Sequence, residues 1–217
     1  EALAPERGCE VVARLDAPEM ARGLTVAALG GAQVAIEFTT PETALPNAMA
    51  LLALGCPVVI GTTGWNAQMA QLEAAVSARH CAALWAPNFS LGVQLFLAIA
   101  EDAARRAREM TGIDVHVVET HHTAKQDAPS GTGIAIAERL EAGLGRQVPV
   151  SSVRVGSVPG THEVIMDAAF EQITLTHTAR DRRVFADGAL AAARWLAVPH
   201  VPAVYTMRDV LTASLPS

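Results

Sequence analysis

Short apolar runs separated by amphipathic stretches fill the first ninety residues, and this alternation restricts the possible folds more than any other feature of the chain. Residues 10–15, 34–38, 57–60 and 81–85 read as strands of four to six residues. Residues 41–54 open on Pro41 and stop at Gly55, and residues 66–79 follow a Thr-Thr-Gly turn, so both carry helix start and stop signals. Strand alternating with helix predicts a parallel sheet covered on both faces.

The pattern changes after Ser90. A long helical pattern over 91–110 leads to a strand over 113–119, a polar loop, and a helix running through 134–144. Three further strand-like runs follow, at 152–155, 162–166 and 172–177, alternating well enough for a sheet with one solvated face. The last helix, 182–196, has an alanine-rich face that suits close packing on a sheet, so it is assigned back to the first domain. The fold class is therefore α/β: a Rossmann-like parallel-sheet domain from 1–90 and 182–217, and an α+β substrate-binding and oligomerisation domain from 91–181.

With 217 residues, 51% of them hydrophobic, the chain has enough apolar side chains for a sizeable core. Charged residues and histidines interrupt every apolar run before it reaches membrane-spanning length, and a cytoplasmic location is expected. Sixteen basic against twenty-two acidic residues give a net charge of −6 with no basic cluster, which argues against a nucleic-acid partner. Cys9, Cys56 and Cys81 are dispersed and odd in number, so they read as buried reduced thiols rather than a disulfide or zinc framework.

Chemistry concentrates in residues 119–132, Glu-Thr-His-His-Thr-Ala-Lys-Gln-Asp-Ala-Pro-Ser-Gly-Thr. Adjacent His121 and His122 exchange protons near neutral pH, and Lys125 holds an anion. A helix start with Asp127 or Ser130 as cap, Pro129 in its first turn and an unobstructed Gly131 offers outward amides, a set suited to a small, multiply charged acid. In the first domain, three loops at strand ends carry small polar groups: 37–40, 61–64 and 86–89. Ligands bind beyond such ends in doubly wound sheets. Asp16 closes the first apolar run, where an acid bonds an adenosine ribose about 20 residues beyond a glycine fingerprint. Counting back places that fingerprint, and the first strand, before Glu1.

The chain resembles the dihydrodipicolinate reductase family. The family string Glu-x-His-His-x-x-Lys-x-Asp-Ala-Pro-Ser-Gly-Thr is matched without a gap from Glu119 to Thr132, and supporting matches include Glu37 to Pro41, Gly61 to Gly64, Asn88 to Gly92, Pro159 to His162 and Tyr205 to Val210. The resemblance implies NAD(P)H-dependent reduction of 4-hydroxy-tetrahydrodipicolinate in lysine and diaminopimelate biosynthesis. By that analogy His121 is the catalytic proton donor or acceptor and Lys125 a second proton donor, and His122, Ser130, Gly131 and Thr132 hold the dicarboxylate substrate. Asp16 holds the adenosine ribose, and Phe38, Gly61, Thr62, Thr63, Ala86, Pro87, Asn88 and Phe89 bind the rest of the cofactor. A homotetramer joined through second-domain sheets is also implied. Ala17, where an arginine could neutralise a 2′-phosphate, leans the cofactor toward NADH over NADPH. No metal is expected: a hydrolase site from His116, Glu119, His121 and His122 would need ligands from opposite faces of one strand. The non-catalytic alternative is an inactive fragment serving as a folded assembly module.

Overall fold

The computed structural model describes residues 2–21 and 23–213. In chain order the elements are α1 (Ala17–Ala21), β1 (Ala35–Glu37), α2 (Pro41–Ala53), β2 (Val58–Ile60), α3 (Met69–Arg79), β3 (Ala83–Trp85), α4 (Leu91–Ala107), β4 (Asp114–His121), α5 (Gly131–Leu144), β5 (Val150–Arg154), β6 (Thr161–Ala168), β7 (Glu171–Thr178), α6 (Arg183–Leu196), β8 (Val204–Tyr205) and α7 (Met207–Ala213). They form two compact units, Glu1–Phe89 with Phe185–Ser217, and Ser90–Val184. No helix among the described residues is long and apolar enough to cross a membrane.

The first unit holds a parallel sheet in the order β1-β2-β3-β8. Its central strand β2 is fully buried at Val58, Val59 and Ile60, as a strand covered on both faces must be. Leu45, Ala48 and Leu52 of α2 and Leu72 and Val76 of α3 pack into that core. Thr40 and Thr43 close α2 with a reciprocal capping box, and Pro41 occupies its first turn.

The second unit holds a mixed sheet in the order β5-β4-β6-β7, parallel between β4 and β5 and antiparallel elsewhere. Alternation along β4 and β6 turns Val115, Val117, Val164 and Met166 into a core shared with Phe96, Ala100 and Ala104 of α4 and Ile136 and Leu140 of α5. Gly143 brings α5 against α4, since a Cβ there would lie 2.6 Å from that of Ala104.

Three expectations change. Residues 10–15 form no regular strand, and Val11 and Val12 are exposed. An extended run becomes a strand only when a neighbour completes its ladder. Cys56 and Cys81 are buried, and burial drives the Cys56 thiol up to about 11, but Cys9, next to that irregular segment, is only half-buried. The short β8 and α7 have no counterpart in the sequence pattern; two residues are too few for periodicity to register, and β8 exists through its pairing with β3.

Gly188 sits in the buried face of α6, where a Cβ would fall 1.7 Å from the backbone carbonyl oxygen of Phe89. Replacing an interior helical glycine by alanine ordinarily gains up to about 1 kcal/mol. Here the clash is with backbone and reverses the sign. Gly188→Ala is expected to lower stability by about 1–3 kcal/mol in urea unfolding. A variant as stable as the parent would mean that the 89 carbonyl moves aside freely.

Candidate active site

β4 carries Glu119 and His121 on the face that also buries Val115 and Val117. Register then builds a polar row across the sheet. Glu119 lies opposite Ser152 of β5 on one side and His162 of β6 on the other, and His162 lies opposite His177 of β7. One register step along β4, His121 faces Arg154. Directly opposed side chains in a sheet are near neighbours, so strands far apart in sequence bring these groups together.

Glu119 is completely buried. Its Oε1 accepts hydrogen bonds from the Ser130 amide at 3.0 Å, the Ser152 hydroxyl at 2.7 Å and the Arg154 guanidinium at 2.9 Å. Burial alone would push this carboxyl up; the three donors outweigh it and hold it at about 2. Its Oε2 faces two imidazoles, at 3.3 Å from His121 Nδ1 and 3.9 Å from His162 Nε2, without hydrogen-bond geometry to either. Both rings are buried and lie edge to face, 5.1 Å between centroids. Burial lowers His121 despite the opposing pull of Glu119, and burial with His121 as neighbour brings His162 down to about 4. Both are therefore neutral at pH 7.

The same carboxylate positions the start of α5. With its amide on Glu119, Ser130 turns its hydroxyl to accept from the Gly133 amide at 3.0 Å as the helix cap, and that hydroxyl lies 3.5 Å from His162 Nε2. Gly133 leaves room for this, as a Cβ would lie 3.2 Å from Glu119 Oε2. Asp127 is not the cap, and Pro129 lies outside the helix, joined through a cis peptide bond after Ala128. Lys125 Nζ instead meets Asp127 at 2.7 and 2.9 Å, and the Gly131 amide also reaches the Asp127 carboxylate, lowering its pKa. Arg154 donates to the carbonyls of Lys125 and Asp127, which ties this loop to β5. Gly131 is exposed, and Thr132 and His122 are half-buried.

The four-residue metal set read from β4 does not assemble: His116 lies 2.8 Å from the Ser151 hydroxyl, with no part in the cluster. A second strand nevertheless supplies a converging group. His162 arrives from β6, and ligand atoms of Glu119, His121 and His162 all lie within 4.8 Å of one another. His162, Ser152 and Arg154 are the functional neighbours that sequence reasoning missed. For His162 the signals in the sequence are the family match from Pro159 to His162 and a histidine that interrupts the apolar alternation of β6.

In the first unit, Phe38, Thr39, Pro41, Gly61, Thr62 and Thr63 line a cavity of about 320 Å³ beyond the carboxyl ends of β1 and β2. Thr62 builds its floor. The hydroxyl donates to the buried Glu37 at 2.8 Å and accepts from the Thr39 amide at 2.7 Å, while its carbonyl accepts from the Trp65 and Trp85 indoles. Phe38 is 55% exposed and lies over Gly61, where a Cβ would come 2.1 Å from the ring. Thr63 and Pro87 are exposed, Asn88 is half-buried, and Ala86 and Phe89 are buried, Phe89 with its ring 5.6 Å from that of Phe38. Asp16 is exposed just ahead of α1, at the end of an irregular segment rather than of a strand.

Comparison with known proteins places these features in context. Family models described as dihydrodipicolinate reductase, N-terminus, and dihydrodipicolinate reductase, C-terminus, match residues 2–89 and 92–211. The 4-hydroxy-tetrahydrodipicolinate reductase of Thiobacillus denitrificans is 35% identical, covering 97% of this chain and 92% of the relative. That of Rubrobacter xylanophilus is 38% identical over 84% of this chain and 75% of its own. Among solved structures, a dipicolinate-bound dihydrodipicolinate reductase from Paenisporosarcina sp. TG-14 superposes with a TM-score of 0.70 at 23% identity, covering 80% of this chain and 71% of that one, a likeness of fold.

Removing the guanidinium from Glu119 strands a buried charge. Arg154→Met is expected to cost about 3–5 kcal/mol at pH 7. The carboxyl sits below its ordinary 4.5 in the folded state, so its contribution is full above that value and fades as pH falls toward about 2. The penalty of Arg154→Met should shrink accordingly between pH 7 and pH 3 in urea unfolding. A penalty independent of pH would mean that Arg154 stabilises through packing alone.

Proposed function

Because this chain belongs to the dihydrodipicolinate reductase family, a family of oxidoreductases, we propose that it reduces 4-hydroxy-tetrahydrodipicolinate to tetrahydrodipicolinate with NADH or NADPH, in lysine and diaminopimelate biosynthesis. One observation carries this reading: a buried carboxylate accepts the amide at the start of α5 and faces His121 at 3.3 Å, with Lys125 on the loop between them.

The donors suit the substrate. A dicarboxylate needs a cation and oriented N–H groups, and the start of α5 offers the exposed Gly131 and the adjoining Thr132 beside the Lys125 ammonium. The Asp127 carboxylate already bridges Lys125 and the Gly131 amide, so a substrate carboxylate shares or takes over that seat. His122, at the end of β4, and Ser130, through its cap, complete the binding set. Orienting the ring in this way supplies much of the rate.

After loss of water the substrate is a conjugated imine. A bound reduced nicotinamide supplies the hydride. His121 then protonates the resulting enamine. Its Nδ1 faces Glu119, so the working proton sits on Nε2, next to Gly160, where any side chain would come within 3.1 Å of that nitrogen. Burial keeps the free ring neutral; the negative charge of the arriving substrate favours the imidazolium that acts as acid.

The cofactor fits the first unit at its nicotinamide end. Phe38, Gly61, Thr63, Pro87 and Asn88 supply the accessible surface, Thr62, Ala86 and Phe89 the supporting layer beneath, and Asp16 the contact to the adenosine ribose. Ala17 beside Asp16 offers no charge for a 2′-phosphate, so NADH is the preferred form. The exposed strand β7 of the second sheet, with Ile173 47% exposed, offers a face for assembly into a homotetramer, and the enzyme works in the cytoplasm.

Steady-state oxidation of NADH tests the roles. His121→Ala should lower kcat by about 10²–10⁴-fold with little change in substrate KM, whereas Lys125→Ala should lower kcat and raise KM together. Unchanged kcat in the His121 variant would remove it from the acid role. A lower KM for NADPH than for NADH would reverse the cofactor preference.

A further inference from the structure

Proton transfer uses only one edge of His121, and the edge it leaves belongs to a second constellation. Glu119, His121 and His162 are all buried, at 0%, 7% and 5% exposure, and β4 and β6 fix them by direct register. Oε1 of Glu119 is saturated by three donors; Oε2 and His121 Nδ1 have no hydrogen-bond partner among the described residues, and His162 Nε2 has a long contact of 3.5 Å to the Ser130 hydroxyl. Buried polar atoms without partners are rare, and two of them facing each other at 3.3 Å demand an explanation.

We propose that Glu119 Oε2, His121 Nδ1 and His162 Nε2 form a binding site for a divalent cation of the zinc class, and that its occupancy silences His121. Two imidazoles and a carboxylate are a donor set that zinc favours, in sites with three protein ligands and one open position. Bonds of about 2.0–2.1 Å in tetrahedral arrangement put donor atoms about 3.3 Å apart. Glu119 Oε2 and His121 Nδ1 already stand at 3.3 Å, and the 3.9 Å to His162 Nε2 closes with a small tilt of one ring. Ser130, Ser152 and Arg154 hold the other carboxylate oxygen, as outer-shell partners of metal ligands do. The guanidinium of Arg154 and the nearby Lys125 ammonium oppose the added charge, so the affinity is that of a reversible site rather than a structural one. A metal on Nδ1 leaves His121 a neutral Nε2–H, a much weaker acid than an imidazolium. The silencing rests on the acid role proposed above; the binding does not.

Zinc and cobalt(II) titrations of the full chain, with chelator competition for zinc and visible absorption for cobalt, test the site. We expect one ion per chain. His162→Phe, which keeps the ring volume, should weaken binding by more than about 100-fold, beyond the loss typical of an outer-shell partner. His116→Ala and His122→Ala should leave it within a few-fold. Glu119→Gln and His162→Gln, checked for folding by circular dichroism, repeat the measurement if His162→Phe does not fold. Absence of stoichiometric binding, or binding equally tight without His162, overturns the site. Zinc should also suppress turnover in step with occupancy and release it on chelation. Binding that depends on His162 while turnover ignores zinc keeps the site and removes His121 from the acid role.

Discussion

The second unit is organised around one buried carboxylate. Glu119 receives donors from the α5 cap at Ser130 and from Ser152 and Arg154 of β5. A charge this deeply buried is tolerable only with all three, and each donor is thereby fixed in place. The consequences spread outward. The Ser130 amide on Glu119 sets the start of α5, Arg154 holds the 125–127 loop through two carbonyls, and Oε2 sets the edge at which His121 and His162 meet. The interaction contributes specificity of geometry more than net stability.

The first unit repeats the device on a smaller scale. Glu37 ends β1 with a buried carboxylate that accepts from the Thr62 and Thr39 hydroxyls, and Thr62 in turn accepts the Thr39 amide and two indoles. That network fixes the loops around the cavity beyond β1 and β2 and leaves Gly61, Thr63 and Phe38 facing outward. In each unit a loop at a strand end is held from beneath by an acid at the last turns of the strand. Thr62 illustrates the distinction that follows: it lines the site, yet its polar groups are committed to the scaffold.

Much of this was legible in the chain itself. Strands 58–60 and 83–85 lie within runs that read as buried strands, and β4 and β6 alternate as a half-solvated sheet requires, whereas β5 and β7 bury no residue. The motif from Glu119 to Thr132 placed a strand end, a cation and a helix start in one segment, and local rules suffice for that. Those rules failed where a partner decides. Residues 10–15 have a strand's composition but no ladder, β8 is a strand only because β3 lies beside it, and Asp127, a good cap by type, is taken by Lys125.

The sequence by itself determined most of the helices and strands and the residue types of the site, because period, propensity and capping are encoded over a few neighbouring positions. Tertiary structure alone decided which groups meet. His162 and Arg154 stand far from Glu119 along the chain, and their meeting depends on the register of β4 with β6 and β5. Register is set by the burial of whole faces, a sum over the sheet that no local stretch contains.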